Sequence, residues 1–394
     1  MKTRTIILCG SACLCWHAAS AAILHVGPGE AYATIQAAVD AASDGDTVEV
    51  QSGTYTNQTV SIVKSITLTA VGGRVSVPQT VAVPNQKGIF VVGSLTTTPR
   101  VTIDGFDFSG ATTPFGNNAA GVVYQSGYLT LTNDSFHDNQ DGIRGAPNTV
   151  GSVLIDHCEF ANNGINDGLT HNVYIGIIPQ FTIQNSYTHD PKGGHEIKSR
   201  ALNTYVVNNR IFDNAGNGSY QVDIPQGGNV TITGNVIQQG ANNANPNIIA
   251  YGEENVTQNP GNSVSVSNNV FVNDDTAHAP VVMFNQRTET AVLTDNSYWG
   301  ITSGQIAGGS GPTSSSGDVF LGSRPTLDTT TVPYMTTYPV PSTLSVVAGR
   351  LTIAAGKLAL VPPGSNGGGT QVAGAWTDDN GTAITDDDGT AITD

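Results

Sequence analysis

Between about Arg100 and Gly300 the apolar positions recur as a repeated phrase: an aliphatic residue, two others, an Asn, Asp, Ser or Cys, one more, then an aromatic or aliphatic residue. Copies are Leu131-Asp134-Phe136, Ile155-Cys158-Phe160, Val206-Asn209-Ile211, Ile232-Asn235-Ile237, Val266-Asn269-Phe271 and Leu293-Asn296-Tyr298. Ile103-Phe106-Phe108 and Ile183-Ser186-Thr188 are weaker ones. From Ile103 onward the leading aliphatics stand 28, 24, 28, 23, 26, 34 and 27 residues apart. Short strands without a helical period, repeated at that spacing, are the mark of a β-solenoid, whereas propeller blades run to about 40–45 residues. Stacked coils align equivalent residues, so Asn209, Asn235, Asn269 and Asn296 are expected to form a hydrogen-bonded ladder at a turn. Cys158 falls on the same rung, where a buried, inert thiol is expected.

Ahead of the repeats, Ile35, Ala38, Val39 and Ala42 recur at helical spacing, so the pattern predicts a short helix over Thr34–Ala42. Thr47 to Val50 then alternates as a strand and Ser52-Gly53 turns it. This run, with Gly45-Asp46-Thr47-Val48 and Gly53-Thr54-Tyr55, resembles the entrance of right-handed parallel β-helix proteins of the pectate-lyase-like superfamily. The resemblance implies an all-β, single-stranded solenoid over residues 22–300 whose open end is capped by the helix. An uncapped end would expose unpaired backbone groups and the apolar interior. Residues 301–370, Gly/Ser-rich and then Thr/Pro-rich, read as covering loops, with Leu344 to Val361 as two cap strands. Residues 371–394 read as an acidic low-complexity tail with an eight-residue duplication.

Lys2 and Arg4 lead an apolar run, Ile6 to Trp16, and Ala19-Ser20-Ala21 follows, so residues 1–21 read as a secretory signal and the protein as secreted. Three of the four cysteines lie in that segment, which leaves Cys158 without a disulfide partner. The chain carries 31 Asp plus Glu against 15 Lys plus Arg, a balance that disfavours nucleic acid as partner. Yet Lys192, Lys198, Arg200 and Arg210 cluster near His157, His171, His189 and His195. A cationic patch in an anionic protein points to an anionic ligand such as an acidic polysaccharide; solvated charges on a sheet face are the alternative.

Side chains alternate across a strand. With Val123, Ile143, Val173, Ile197, Val222, Ile249 and Val282 inward, the next residues face out: Tyr124, Arg144, Tyr174, Lys198, Asp223, Ala250 and Met283. Alternation adds Asn172, Glu196 and Gln221 to that face on one side and Arg200 on the other. Lys198, Arg200, Tyr174, His195 and Asp223 are therefore candidate catalytic residues, and Arg144, Tyr124, Tyr220 and Gln221 candidate substrate contacts. Asn172, Glu196 and Asp223 offer the oxygen ligands that suit Ca2+.

β-Elimination from a uronate polymer needs a base, a positive centre beside the carboxylate and an acid for the leaving oxygen. Lys198 is the candidate base, Tyr174 or His195 the donor, and Arg144, Arg200 or calcium the positive centre. Glu196, Lys198-Ser199, Asn203 and Asn208-Asn209 resemble the lysine strand of the chondroitinase B and alginate lyase family, which implies Lys198 as base. Two features depart from that family: Asp223 stands one coil later where it has an arginine, and no acidic pair precedes the lysine. An epimerase would use the same proton abstraction. A glycoside hydrolase would use paired carboxylates, Glu196 or Asp190 with Asp223. A non-catalytic glycan-binding or cell-surface solenoid would use Tyr124, Tyr174 and Tyr220 as stacking platforms. His171, His189 and His195 have the donors for a transition metal, though stacked histidines also form structural ladders. Glu253-Glu254 reads as a loop or a second polar rim.

Overall fold

The computed structural model describes residues 21–114, 119–254, 258–261 and 263–333, and the backbone of two short strands beyond them. The chain winds as a right-handed parallel β-helix. A typical coil contributes three strands, such as Asp141–Gly145, Gly151–Asp156 and Glu159–Ala161. The first of each joins a ten-stranded sheet, and the other two join a longer sheet that bends at a corner.

The registers realise the sequence period. Ile103, Leu131, Ile155, Ile183, Val206, Ile232, Val266 and Leu293 lie in one row. The aromatic positions form a second, in which Phe136 and Phe160 stack at 4.6 Å and 4°. Both rows are fully buried, so the interior is a column of like-on-like contacts that holds coil to coil.

At the bend lies the Asn ladder. The backbone N–H and Nδ2 of Asn209 both donate to Asn235 Oδ1, at 2.8 and 3.0 Å. Asn235 repeats this to Asn269, and Asn269 to Asn296. Cys158 sits on this rung fully buried, and burial pushes its thiol pKa up, as an inert thiol requires. The residue before each rung takes left-handed backbone (Asn133 56°, Asn185 51°, Asn208 55°, Asn268 56°), a conformation Asn tolerates better than other side chains.

The helix spans Ile35–Ala41, with Thr34 as N-cap accepting from Ala37 N–H and with Ile35, Ala38 and Val39 buried. At the other end the solenoid runs past residue 300. Ala307–Gly308, Thr313–Ser316 and Val319–Phe320 extend the two sheets in parallel register. Residues 321–333 then run back along the outside. Arg324 pairs with Asp274 at 2.7 Å, Arg210 donates to the carbonyls of Asp328 and Thr330, and Val332 packs on Tyr187 and Phe212. Of the cap strands expected over 344–361, a short antiparallel pair, Ser345–Val347 with Arg350–Thr352, is present in a second compact unit. The signal segment and the acidic tail lie outside the described residues.

Candidate functional site

The outward row of the ten-stranded sheet reads Val91, Val123, Arg144, Tyr174, Lys198, Asp223, Ala250, Phe284. Its centre matches the sequence expectation; its ends are shifted by one residue. Val122 rather than Val123 stands beside Ile143, which turns Tyr124 inward, fully buried with its hydroxyl donating to Gly127 O at 2.6 Å. Tyr124 is therefore a core residue and offers no stacking surface. Met283 likewise points in and Phe284 out.

Three other candidates also leave this face. Asn172, Glu196 and Gln221 each stand one residue before their strand begins, where alternation no longer governs direction, and all three are buried. Asn172 Nδ2 donates to Glu196 Oε2 at 2.8 Å and to His189 O at 2.9 Å, and Thr188 Oγ1 donates to Glu196 Oε2 at 2.5 Å. Thr188 belongs to the interior row, so Glu196 faces the inside of the coil. The set Asn172, Glu196, Asp223 is thus split between two sides of the wall, as is the pair Glu196, Asp223.

What gathers around Lys198 is a compact ionic cluster. Lys198 Nζ lies 2.8 Å from Asp223 Oδ2 and 2.8 Å from Glu254 Oε1. Arg200 donates through Nη2 to both oxygens of Glu254, at 2.9 and 2.7 Å, and through Nε to the Tyr174 hydroxyl at 3.2 Å. The guanidinium carbons of Arg144 and Arg200 each stand 5.9 Å from the Tyr174 ring centroid, within cation–π range. Burial works against the charge on Lys198, yet Asp223 and Glu254 hold its proton and leave its pKa above the ordinary value. Burial, then the charge and hydrogen bond of Asp223, push Glu253 up to about 9. Asp223 is itself raised by burial, with Lys198 opposing. Burial and mutual repulsion thus favour one proton shared between Asp223 and Glu253, and Lys198 is an ammonium ion.

His195 lies behind Asp223. Its ring stacks between His171 (4.6 Å, 10°) and Tyr220 (5.0 Å, 19°). His171 Nδ1 accepts the His195 backbone N–H at 3.0 Å, and His195 Nδ1 accepts that of Tyr220 at 3.2 Å. Each neutral ring therefore carries its proton on Nε2. For His195 that atom stands 3.3 Å from Asp223 Oδ2. Burial, reinforced by the charge of Lys198, drops His171 to about 3, and burial with His171 and Lys198 takes His195 well below its usual range. His195 is thus a neutral ring close to Asp223 and is not available as an imidazolium acid. His189 lies elsewhere, bonded to Asp190 and Glu159, so the three histidines do not converge.

Glu253 and Glu254 are the site residues that the repeat pattern conceals. They follow the strand Asn247–Tyr251, and Gly252, at φ 70°, turns the chain back over the row. Any Cβ there would lie 2.4 Å from the Arg287 side chain. Oxygens of Asp223, Glu253 and Glu254 all lie within 4.8 Å of one another. Three convergent carboxylates fit a hard divalent cation such as Ca2+, and here the Lys198 ammonium provides the counter-charge.

The stack, the bend and the helical cap place the chain beside known solenoids. It superposes on a protein of Geobacillus virus E2 (ORF18) with a TM-score of 0.52 at 14% identity, covering 73% of this chain and 58% of that one. Pectate lyase Pel9A gives 0.49 at 17% identity, covering 76% and 78%, and the A-module of the Azotobacter vinelandii mannuronan C-5 epimerase AlgE6 gives 0.39 at 17%, covering 74% and 95%. The likeness is one of fold. No protein-family model and no curated protein matches the chain. Among the described residues no helix is long and apolar enough to cross a membrane.

Proposed function

We propose that this is a secreted protein that binds an acidic polysaccharide across the Arg144–Tyr174–Lys198 row and cleaves it as a uronate lyase, with Lys198 as base. The observation that carries the reading is the setting of Lys198: a buried ammonium between two carboxylates in the outward strand row, with Tyr174 beside it and Arg200 bonded to Tyr174. The uronate carboxylate would take the place of Glu254 as partner of Arg200, with Arg144 one coil further along the polymer. Lys198 becomes a base when Asp223 and Glu254 no longer hold its proton, since burial favours its neutral form. It would then remove the proton beside the uronate carboxylate as the bond to the leaving oxygen breaks, and the Tyr174 hydroxyl would protonate that oxygen. Asp223, Glu253 and Glu254 are the residues that would hold Ca2+, which when bound would add positive charge beside the uronate.

Hydrolysis is less well supported. Glu196 faces the interior, away from Asp223, and of the carboxyls that do converge Asp223 and Glu254 are already paired with Lys198. A second reading, binding without chemistry, is favoured by the raised pKa of Lys198 in the free protein. The test is turnover of alginate, pectate and glycosaminoglycans, read by ultraviolet absorbance of the unsaturated product. A lyase predicts a signal that Lys198→Ala abolishes while binding persists; binding without product in the unaltered protein overturns the lyase reading.

A further inference from the structure

On the inner side of the wall, away from the Lys198 face, one corner of the coil is polar over several turns. Along the row Asn172, Glu196, Gln221, the backbone N–H groups of Glu196 and Ile197 donate to Tyr220 and Gln221, so Gln221 stacks directly over Glu196. A second row, Asp190, Asp213, Gln239 and Asn273, closes the same corner from the end of the preceding strands. The two rows touch, because Asn172 Nδ2 bonds both Glu196 and the carbonyl of His189, the neighbour of Asp190.

The buried groups here do not satisfy one another. Glu196 Oε1, Gln221 Oε1, Asp213 Oδ1, Gln239 Oε1 and Asn273 Oδ1 are buried without a hydrogen-bond partner. The donors left over in these segments are Gln221 Nε2 and Asn243 Nδ2. Glu196, Asp213, Gln221 and Gln239 are at most 1% exposed, so bulk water does not reach them. Their other atoms are fixed: Glu196 Oε2 by Thr188 and Asn172, Asp213 Oδ2 by the Gly218 N–H at 3.0 Å. An excess of buried oxygen acceptors, two of them on carboxylates that burial raises, Glu196 further by Asp213 and Asp213 by Asp190, calls for a cation or for protons.

We propose that this corner holds one Ca2+-class cation between coils, with Glu196, Gln221 and Asp213 as its protein ligands. Oxygen-only donors with two carboxylates are the ligand set such an ion prefers. The ion would be distinct from any at Asp223, Glu253 and Glu254, which lie on the outer face. It would be structural, loaded as the coils close.

The test uses the full chain carrying Glu253→Gln and Glu254→Gln, which removes two of the three outer carboxylates. Elemental analysis after exhaustive dialysis against EGTA should find one Ca2+ per chain. Unfolding and refolding in EGTA should remove it and lower the melting temperature by several degrees, and refolding with calcium chloride should restore both. Asp213→Asn should lose the ion even when refolded with calcium. A variant chain without bound calcium after refolding in calcium chloride, or one whose melting temperature is the same with and without the ion, overturns the proposal and leaves the corner filled by water and protons.

Discussion

Asn235→Ala tests whether the ladder, rather than burial alone, ties the coils together. Asn235 Oδ1 accepts the Asn209 backbone N–H and Nδ2, and its own Nδ2 donates to Val206 O at 2.8 Å and to Asn269 Oδ1 at 2.9 Å. Truncation orphans the buried Asn209 N–H, weakens two further pairings and leaves a small void. One orphaned buried donor costs about 1–3 kcal/mol, and with the lost bonds and the void the sum is about 3–5 kcal/mol. Cys158 is the internal control, on the same rung and equally buried, with one weak contact from Sγ to Asp156 O at 3.4 Å. Cys158→Ala should cost about 1 kcal/mol, the value for removing a small buried group. Urea midpoints of both variants, with the slope checked against the unaltered chain, give the comparison. Equal costs would refute the ladder argument, because burial would then account for both.

Three further outcomes follow from the same geometry. The folded-state pKa of His189 is raised to about 9, with burial opposing and Asp190 and Glu159 more than compensating, so its stabilisation is full below about pH 6.5 and lost as pH rises through 9. His189→Gln should therefore cost about 2–3 kcal/mol more at pH 6 than near pH 10, read by chemical denaturation; a cost that does not change with pH would contradict it. Lys198→Ala leaves Asp223 buried without its cation, so it should destabilise by about 3–5 kcal/mol at pH 8 and less at pH 5, where Asp223 can take a proton. Tyr174→Ala should weaken polyuronate binding about tenfold, roughly the 1–2 kcal/mol of a stacked aromatic contact, whereas Tyr124→Phe, buried in the core, should leave affinity unchanged in calorimetry.

The repeat, the Asn ladder and the capping helix were legible because stacking imposes one spacing on residues that must coincide in space. Register at the ends of the outer row was not. Gly121-Val122-Val123-Tyr124 and Val281-Val282-Met283-Phe284 are apolar throughout, so either phase looks inward, and only the turn lengths select one. Lys198 beside Asp223 followed from alternation within strands. Asn172, Glu196 and Gln221 were misplaced by carrying that alternation past the strand's first residue into a corner. The 34-residue coil between Ile232 and Val266 was the available sign of Glu253 and Glu254, since extra length in a solenoid must leave the wall as a loop. Where such a loop folds back is decided by contacts such as Lys198 with Glu254, which no local pattern encodes.

The most direct measurement is polyuronate cleavage followed by ultraviolet absorbance, for the unaltered chain, Lys198→Ala and Lys198→Arg, with calcium chloride and with EGTA. The account predicts unsaturated product from the unaltered chain alone, and loss of turnover rather than of binding in both variants. Turnover by Lys198→Ala at the unaltered rate, or polymer binding without product in the unaltered chain, would contradict it.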